Sequence, residues 1–300
     1  MAKHMSSTTQ RVPTVLVAAT IAVVMISVGV AYWLLLGRSA TDSGSQASHS
    51  DSQVVQSSQN APSNEGANGQ EEGAVSQDDV SASEFARMLR NDEVRSIRLV
   101  GDSITAGYGT DGYEEAVATA QDPKVIYDDG QDQYFEAPSS VDCWANAFRK
   151  FADAHGISDF VNAGINGAFM KGLANKPEAW LGNGADVIVV ALGTNDAGYY
   201  GIDEYRADAQ AALAAAASKS KLVVVLAPVC DLRPEYLLVE PAGVLGDVLE
   251  PLCKENGYLF VDPREAVEPE MFNEDGLHPN TRGSLAIWQC VQQTLGLDAD

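Results

Sequence analysis

Two stretches of this chain, Val187-Ile188-Val189-Val190 and Leu222-Val223-Val224-Val225-Leu226, are apolar at every position. A strand with one wet face alternates apolar and polar residues. An unbroken short run instead belongs to a strand covered on both faces, the habit of parallel sheets. β-rich runs recur over 96–100, 159–162, 186–192, 222–229 and 258–261, with helical patterns over 141–154, 203–218 and 242–255 and a last one over 281–295. A shorter helix is expected over 83–89, capped by Ser81 or Ser83. This alternation predicts an α/β domain on a parallel sheet. Sites in open parallel sheets form beyond the C-terminal ends of the strands, so those ends are where chemistry is sought.

The first 80 residues have another character. From Val15 to Leu36 about 22 residues carry no charge, enough for a bilayer-spanning helix. Lys3 and Arg11 precede the run, Arg38 follows it, and no further Lys or Arg appears until Arg87. The positive-inside tendency then leaves residues 1–13 in the cytoplasm, an anchor over 14–37, and the rest outside. The alternative is a cleaved signal peptide, whose apolar region is normally only about 7–15 residues, giving a secreted protein. Residues 38–80 are rich in Ser, Gln, Asn and Gly, and from Ser39 to Val80 contain no Lys, Arg or aromatic residue. Such a stretch reads as a disordered polar linker. The folded domain is expected over 81–300.

The net charge of −23 repels nucleic-acid phosphates, so no nucleic-acid partner is expected. Cys143, Cys230, Cys253 and Cys290 allow three complete disulfide pairings in an exported domain. Free buried thiols are the alternative. A continuous helix over 242–255 would hold Cys253 too far from Cys230 for direct bonding. No spacing of Cys or His points to a metal.

Four strand-end segments are polar and specific. They are Gly101-Asp102-Ser103, Asn162-Ala163-Gly164-Ile165-Asn166-Gly167, Gly193-Thr194-Asn195-Asp196 and Asp275-Gly276-Leu277-His278. A serine becomes a good nucleophile when an adjacent base takes its proton, and His278 suits that task at neutral pH. Asp275, three residues earlier, can hold the imidazole in the required tautomer. Attack on an ester creates an oxyanion that needs N–H donors. The amides of Ser103 and Gly167 and the side chain of Asn195 are candidates. Asp102 is expected to bond backbone amides rather than react. Taken singly, Ser103 could be a helix cap and Gly167 a turn glycine.

In order and content the four segments resemble the sequence blocks of the GDSL/SGNH hydrolase superfamily, over about residues 95–296. The nucleophile block has Ile104 where the literal motif has Leu. The resemblance implies a three-layer α/β/α flavodoxin-like SGNH-hydrolase fold with sheet order 2-1-3-4-5, following the transmembrane helix. It also implies ester hydrolysis without metal or other cofactor. Ser103, Asp275 and His278 would be catalytic, with Ser103, Gly167 and Asn195 forming the oxyanion hole. The expected substrate is a small-molecule or polysaccharide ester, of short acyl chain because no extended apolar lid is evident. A lysophospholipase or thioesterase with the same site, and a catalytically silent surface-binding module, are the competing readings. The acidic insertion 111–142 is expected to be a solvated loop or, with Tyr113, Tyr127, Tyr134 and Phe135, a substrate-shaping rim.

Overall fold

The computed structural model describes residues 77–229 and 232–297, with side chains from Glu84 onward. The apolar run 15–36, most of the polar linker and Cys230 lie outside the described residues. Among those described, no helix is long and apolar enough to cross a membrane.

Among the described residues there are seven strands: β1 (Ser96–Gly101), β2 (Val125–Asp128), β3 (Gln133–Phe135), β4 (Asp159–Gly164), β5 (Val187–Ala191), β6 (Leu222–Leu226) and β7 (Leu259–Val261). β2 and β3 pair as a separate hairpin, and the other five form one sheet in the order β4-β1-β5-β6-β7. All its pairings are parallel. Counting its own strands alone, this is the expected 2-1-3-4-5 order.

Among the described residues nine α-helices accompany the strands. They are α1 (Gln77–Arg90), α2 (Ser103–Ala106), α3 (Tyr113–Thr119), α4 (Trp144–Ala154), α5 (Met170–Asn175), α6 (Pro177–Leu181), α7 (Ile202–Ala217), α8 (Ala242–Asn256) and α9 (Thr281–Leu295). α1 starts at Gln77, earlier than the expected cap at Ser81 or Ser83, because Gln77-Asp78-Asp79 has no apolar repeat to announce a helix.

The sheet divides two cores. Leu99, Val189 and Val224 join Phe85, Phe148 and Trp288 on the face covered by α1, α4 and α9. Val100, Val190 and Val225 join Leu181, Tyr205 and Leu249 on the face covered by α5–α8. Successive residues of one strand thus enter opposite cores, which is why β5 and β6 are apolar throughout.

The insertion 111–142 is largely exposed, as expected of a solvated segment, but carries regular structure in place of the expected loop. It contributes α3 and the hairpin, and it lies along β4, an edge strand. Ala137 N–H donates to Asn162 O at 3.0 Å, and Asn162 N–H donates to Glu136 Oε1 at 3.2 Å. These bonds occupy edge groups that would otherwise template pairing with another chain. Glu136 is fixed in turn by Arg149 at 2.6 Å and Lys124 at 2.9 Å.

Cys143 and Cys253 are buried free thiols, and Cys290 is a half-buried one. Burial raises all three thiol pKa values, that of Cys253 to about 12. That is the environment of inert packing thiols rather than reactive ones.

Candidate active site

β1 delivers the nucleophile block to the C-terminal edge of the sheet. Asp102 is extended, and its carboxylate accepts from Ile104 N–H at 2.9 Å, so Asp102 caps α2 and Ser103 is the first helical residue. The capping alternative for Ser103 is thereby removed. α2 sits hard against the strands because glycine occupies both adjacent strand ends. A Cβ at Gly164 would come within 2.5 Å of Ala106 N, and one at Gly101 would overlap the Thr105 side chain.

Ser103 is buried, with its Oγ 2.9 Å from His278 Nε2. On the other side of the ring, His278 Nδ1 lies 2.7 Å from Asp275 Oδ2. The second carboxylate oxygen, Oδ1, accepts from the backbone N–H groups of Leu277 at 2.9 Å and His278 at 3.0 Å. One carboxylate therefore closes the turn and orients the imidazole. Burial pushes the Asp275 pKa up, but the bonds from the His278 backbone and ring and the Leu277 backbone outweigh it and hold the carboxyl below its usual range. Tyr108 packs on the ring at a centroid distance of 4.5 Å.

Asn273 joins this turn to the nucleophile block. Its Nδ2 donates to Gly109 O at 3.0 Å and His278 O at 3.1 Å. A lone asparagine in a polar loop carries no signal of that role, and sequence reasoning missed it.

The glycine block follows β4. Asn162 Nδ2 donates to Thr105 O at 3.0 Å, and its Oδ1 accepts from Gly164 N–H at 3.0 Å, tying the block to α2. Gly167 has φ of 75°, a left-handed conformation, although a Cβ there would meet nothing within 4 Å. Backbone shape, not space, demands glycine. Among the described residues neither the Ser103 nor the Gly167 N–H donates a hydrogen bond. Both amides are free to meet a ligand.

Asn195 follows β5, and its Nδ2 donates to Ala168 O at 2.9 Å. That bond uses one amide hydrogen and leaves a second. Beside it, both carboxylate oxygens of Asp196 lie 3.1 Å from Met170 N, whose N–H they share. The two loops bearing the candidate oxyanion donors are thus bonded to each other. Asp196 and Asp102 are almost wholly buried, and burial raises both carboxyls to about 7, with their mutual repulsion adding to the rise at Asp196. Sequence reasoning gave Asp196 no role, since desolvation cannot be read from a motif.

Every predicted site residue is therefore at this edge of the sheet. A hydroxyl, an imidazole and a carboxylate stand in line, with loops carrying spare N–H donors beside them. That arrangement is equipped for acyl transfer.

Residues 99–286, more than half the chain, match the model of the GDSL-like lipase/acylhydrolase family. The chain belongs to that family. As a GDSL-like acylhydrolase it is a carboxylic ester hydrolase. No curated protein matches its sequence. Among solved structures it is similar to LAE5, an alpha/beta hydrolase enzyme from the metagenome of Lake Arreo, Spain. Identity is 20%, coverage 68% of this chain and 97% of that one, and the TM-score 0.52. It is also similar to Axe2, an acetylxylan esterase from Geobacillus stearothermophilus, at 18% identity, with coverage of 68% and 95% and a TM-score of 0.50. At these identities the likeness establishes the GDSL-like acylhydrolase's fold alone.

Proposed function

We propose that this GDSL-like acylhydrolase works through an acyl-serine intermediate on Ser103, removing acetyl or another short acyl group from a glycan or small ester. The observation that carries the reading is the unbroken hydrogen-bonded line Ser103–His278–Asp275. His278 Nε2 takes the hydroxyl proton as Oγ attacks the ester carbonyl, and Asp275 stabilises the imidazolium that forms. The Ser103 and Gly167 N–H groups and the spare hydrogen of Asn195 receive the oxyanion. The ester C–O bond then breaks, and the alcohol leaves with the proton from His278. A water, deprotonated by the same ring, attacks the acyl carbon, and the acid departs as Ser103 regains its proton.

Two features support a glycan. Phe169, two residues past Gly167, stacks edge-on with Tyr199 at 5.3 Å and Tyr200 at 5.7 Å, and Tyr199 is 69% exposed. Such aromatic faces suit sugar rings. Axe2, with a similar fold, is an acetylxylan esterase. A lysophospholipase or thioesterase is the second reading, favoured by a different observation. Leu232, Tyr236, Leu237 and Val239 are exposed on the segment after β6, which bonds to the Gly276 and Ala197 carbonyls beside the site. The run 15–36 supports an anchor holding the enzyme outside the membrane, with signal cleavage as the alternative.

The test is turnover of p-nitrophenyl acetate and decanoate by the full-length chain. Ser103→Ala should bring acetate turnover to background, and the parent should prefer acetate. Undiminished turnover by Ser103→Ala removes the acyl-serine reading, while a preference for decanoate transfers the case to a lipid ester.

A further inference from the structure

At the opposite edge of the sheet lies a feature that ester hydrolysis leaves unused. A cavity of about 350 Å³ opens beside the starts of β1 and β4, with Ser96, Arg98, Asp159 and Ala185 among its lining residues. Tyr127 and Glu178 also line it, so the hairpin of the insertion and α6 both border it. β1 itself separates it from Ser103 by about 17 Å of strand.

Arg98 is only 8% exposed. Its Nε donates to Trp180 O at 2.5 Å, near the C-terminal end of α6. Neither terminal nitrogen forms a hydrogen bond or ion pair among the described residues; Nη2 is sealed from solvent, so Nη1 is the nitrogen a ligand can reach. Asp159 and Glu178 line the same cavity without forming an ion pair with it. Desolvation lowers the guanidinium pKa, and the negative charges of Glu136 and Asp159 offset it only in part. Buried charges are ordinarily paired, because a charge taken out of water without a partner is destabilising. With Nε on Trp180 O and Nη2 sealed, a two-pronged contact is not on offer, but one carboxylate oxygen on Nη1 makes a charge-assisted bond and supplies the missing counter-charge.

We propose that this cavity binds a small carboxylate that also carries hydroxyl or ammonium donors, a sugar acid or an amino acid, with Arg98 receiving its carboxylate. Asp159 and Glu178 offer acceptors to the ligand's donors. Together with the overall charge of −23 they oppose a multiply charged anion such as phosphate. Tyr127, Ile126 and Val161 supply an apolar wall, and the volume is at the lower end of the range of small-molecule sites.

The experiment is isothermal titration of the full-length chain with D-glucuronate, L-glutamine, inorganic phosphate and glucose. Saturable binding of glucuronate or glutamine is expected, and which of the two binds tells the sugar acid from the amino acid. Phosphate and glucose should bind at least tenfold more weakly. Arg98→Gln should weaken the productive ligand at least tenfold while p-nitrophenyl acetate turnover stays within about twofold, since the two sites sit at opposite strand ends. If Arg98→Gln does not fold, Ala185→Met decides, because it fills the cavity and keeps the guanidinium; it too should abolish binding. Absence of binding by both carboxylates overturns the proposal. So does equal affinity for phosphate or glucose, or a ligand that binds undisturbed to a folded Arg98→Gln or Ala185→Met chain.

Discussion

Replacing Asn195 by alanine separates holding the site together from stabilising the transition state. The side chain forms one hydrogen bond, donating to Ala168 O at 2.9 Å. Loss of a neutral hydrogen bond of this kind lowers stability by about 1 kcal/mol. A domain with about 5–15 kcal/mol in hand stays folded after such a loss. The second amide hydrogen is assigned to the oxyanion, and removing one such donor costs about 2.7–4 kcal/mol of activation free energy. At about 1.36 kcal/mol per decade this is a fall of about two to three orders of magnitude in kcat. The donor meets charge that appears only as the carbonyl is attacked, so KM should hold within about threefold. The assay is p-nitrophenyl acetate kinetics beside urea unfolding of the same preparation. A folded Asn195→Ala chain with kcat within about threefold of the parent would refute the assignment. A loss expressed wholly in KM would reduce Asn195 to a ground-state contact.

The remaining predictions concern neighbouring groups. Asp275→Asn should lower kcat about 100-fold or more, because Oδ1 already serves two backbone N–H groups and the new amide NH₂ would face His278 Nδ1, favouring the wrong tautomer; unchanged kcat would show that the turn needs no carboxylate. Gly167→Ala should lose about 1 kcal/mol in urea unfolding from its left-handed φ of 75°, with no clash to add, and should lower kcat as the amide shifts; a variant with full activity would remove Gly167 from the oxyanion hole. Asp102 and Asp196 have folded pKa values raised from 3.8 to about 7, so the stability tied to them is full below about pH 4 and is lost as pH rises through 7. A rise of about three units at about 1.4 kcal/mol each bounds the loss at roughly 4 kcal/mol per group. Asp196→Asn should flatten the decline of the urea midpoint between pH 5 and 8, and an unaltered slope would contradict the buried-carboxylate account.

The sheet was legible because both its faces are covered. Val187–Val190 and Val223–Val225 are apolar at every step, and that pattern has few solutions besides a buried parallel strand. The four polar blocks were legible because each interrupts such a pattern at a strand's end. α5 and α6 were not, being too short to show a helical period, with Pro177 parting them. The structure of the insertion was hidden for a different reason. Its acidic residues read as solvated, yet Glu136 is held along the edge of β4 by Lys124 across the hairpin and by Arg149 of α4, at spacings that no helical or turn pattern announces. Asn273 was hidden likewise, since its bond to Gly109 joins positions far apart in the chain.

These long-range bonds explain how loops can hold a site that needs sub-ångström placement. The candidate catalytic edge lies beyond the sheet, where no ladder of backbone bonds constrains the chain, and loops there are ordinarily the most mobile parts of a fold. Here each loop is tied to its neighbour by a side chain reaching a backbone atom. Asn162 reaches Thr105, Asn273 reaches Gly109, Asn195 reaches Ala168, and Asp196 receives Met170. Asn166 adds a tie to the insertion through the Tyr113 hydroxyl at 2.9 Å, and Tyr113 packs on Tyr108, the ring against His278. A disturbance in the insertion therefore has a contiguous path to the imidazole. Tyr113→Phe breaks the Asn166 bond and keeps the ring contact, whereas Tyr113→Ala removes both. If Tyr108 steadies the imidazole by packing, Tyr113→Ala should lower kcat several-fold more than Tyr113→Phe. If the glycine loop is what the insertion steadies, the two variants should fall together.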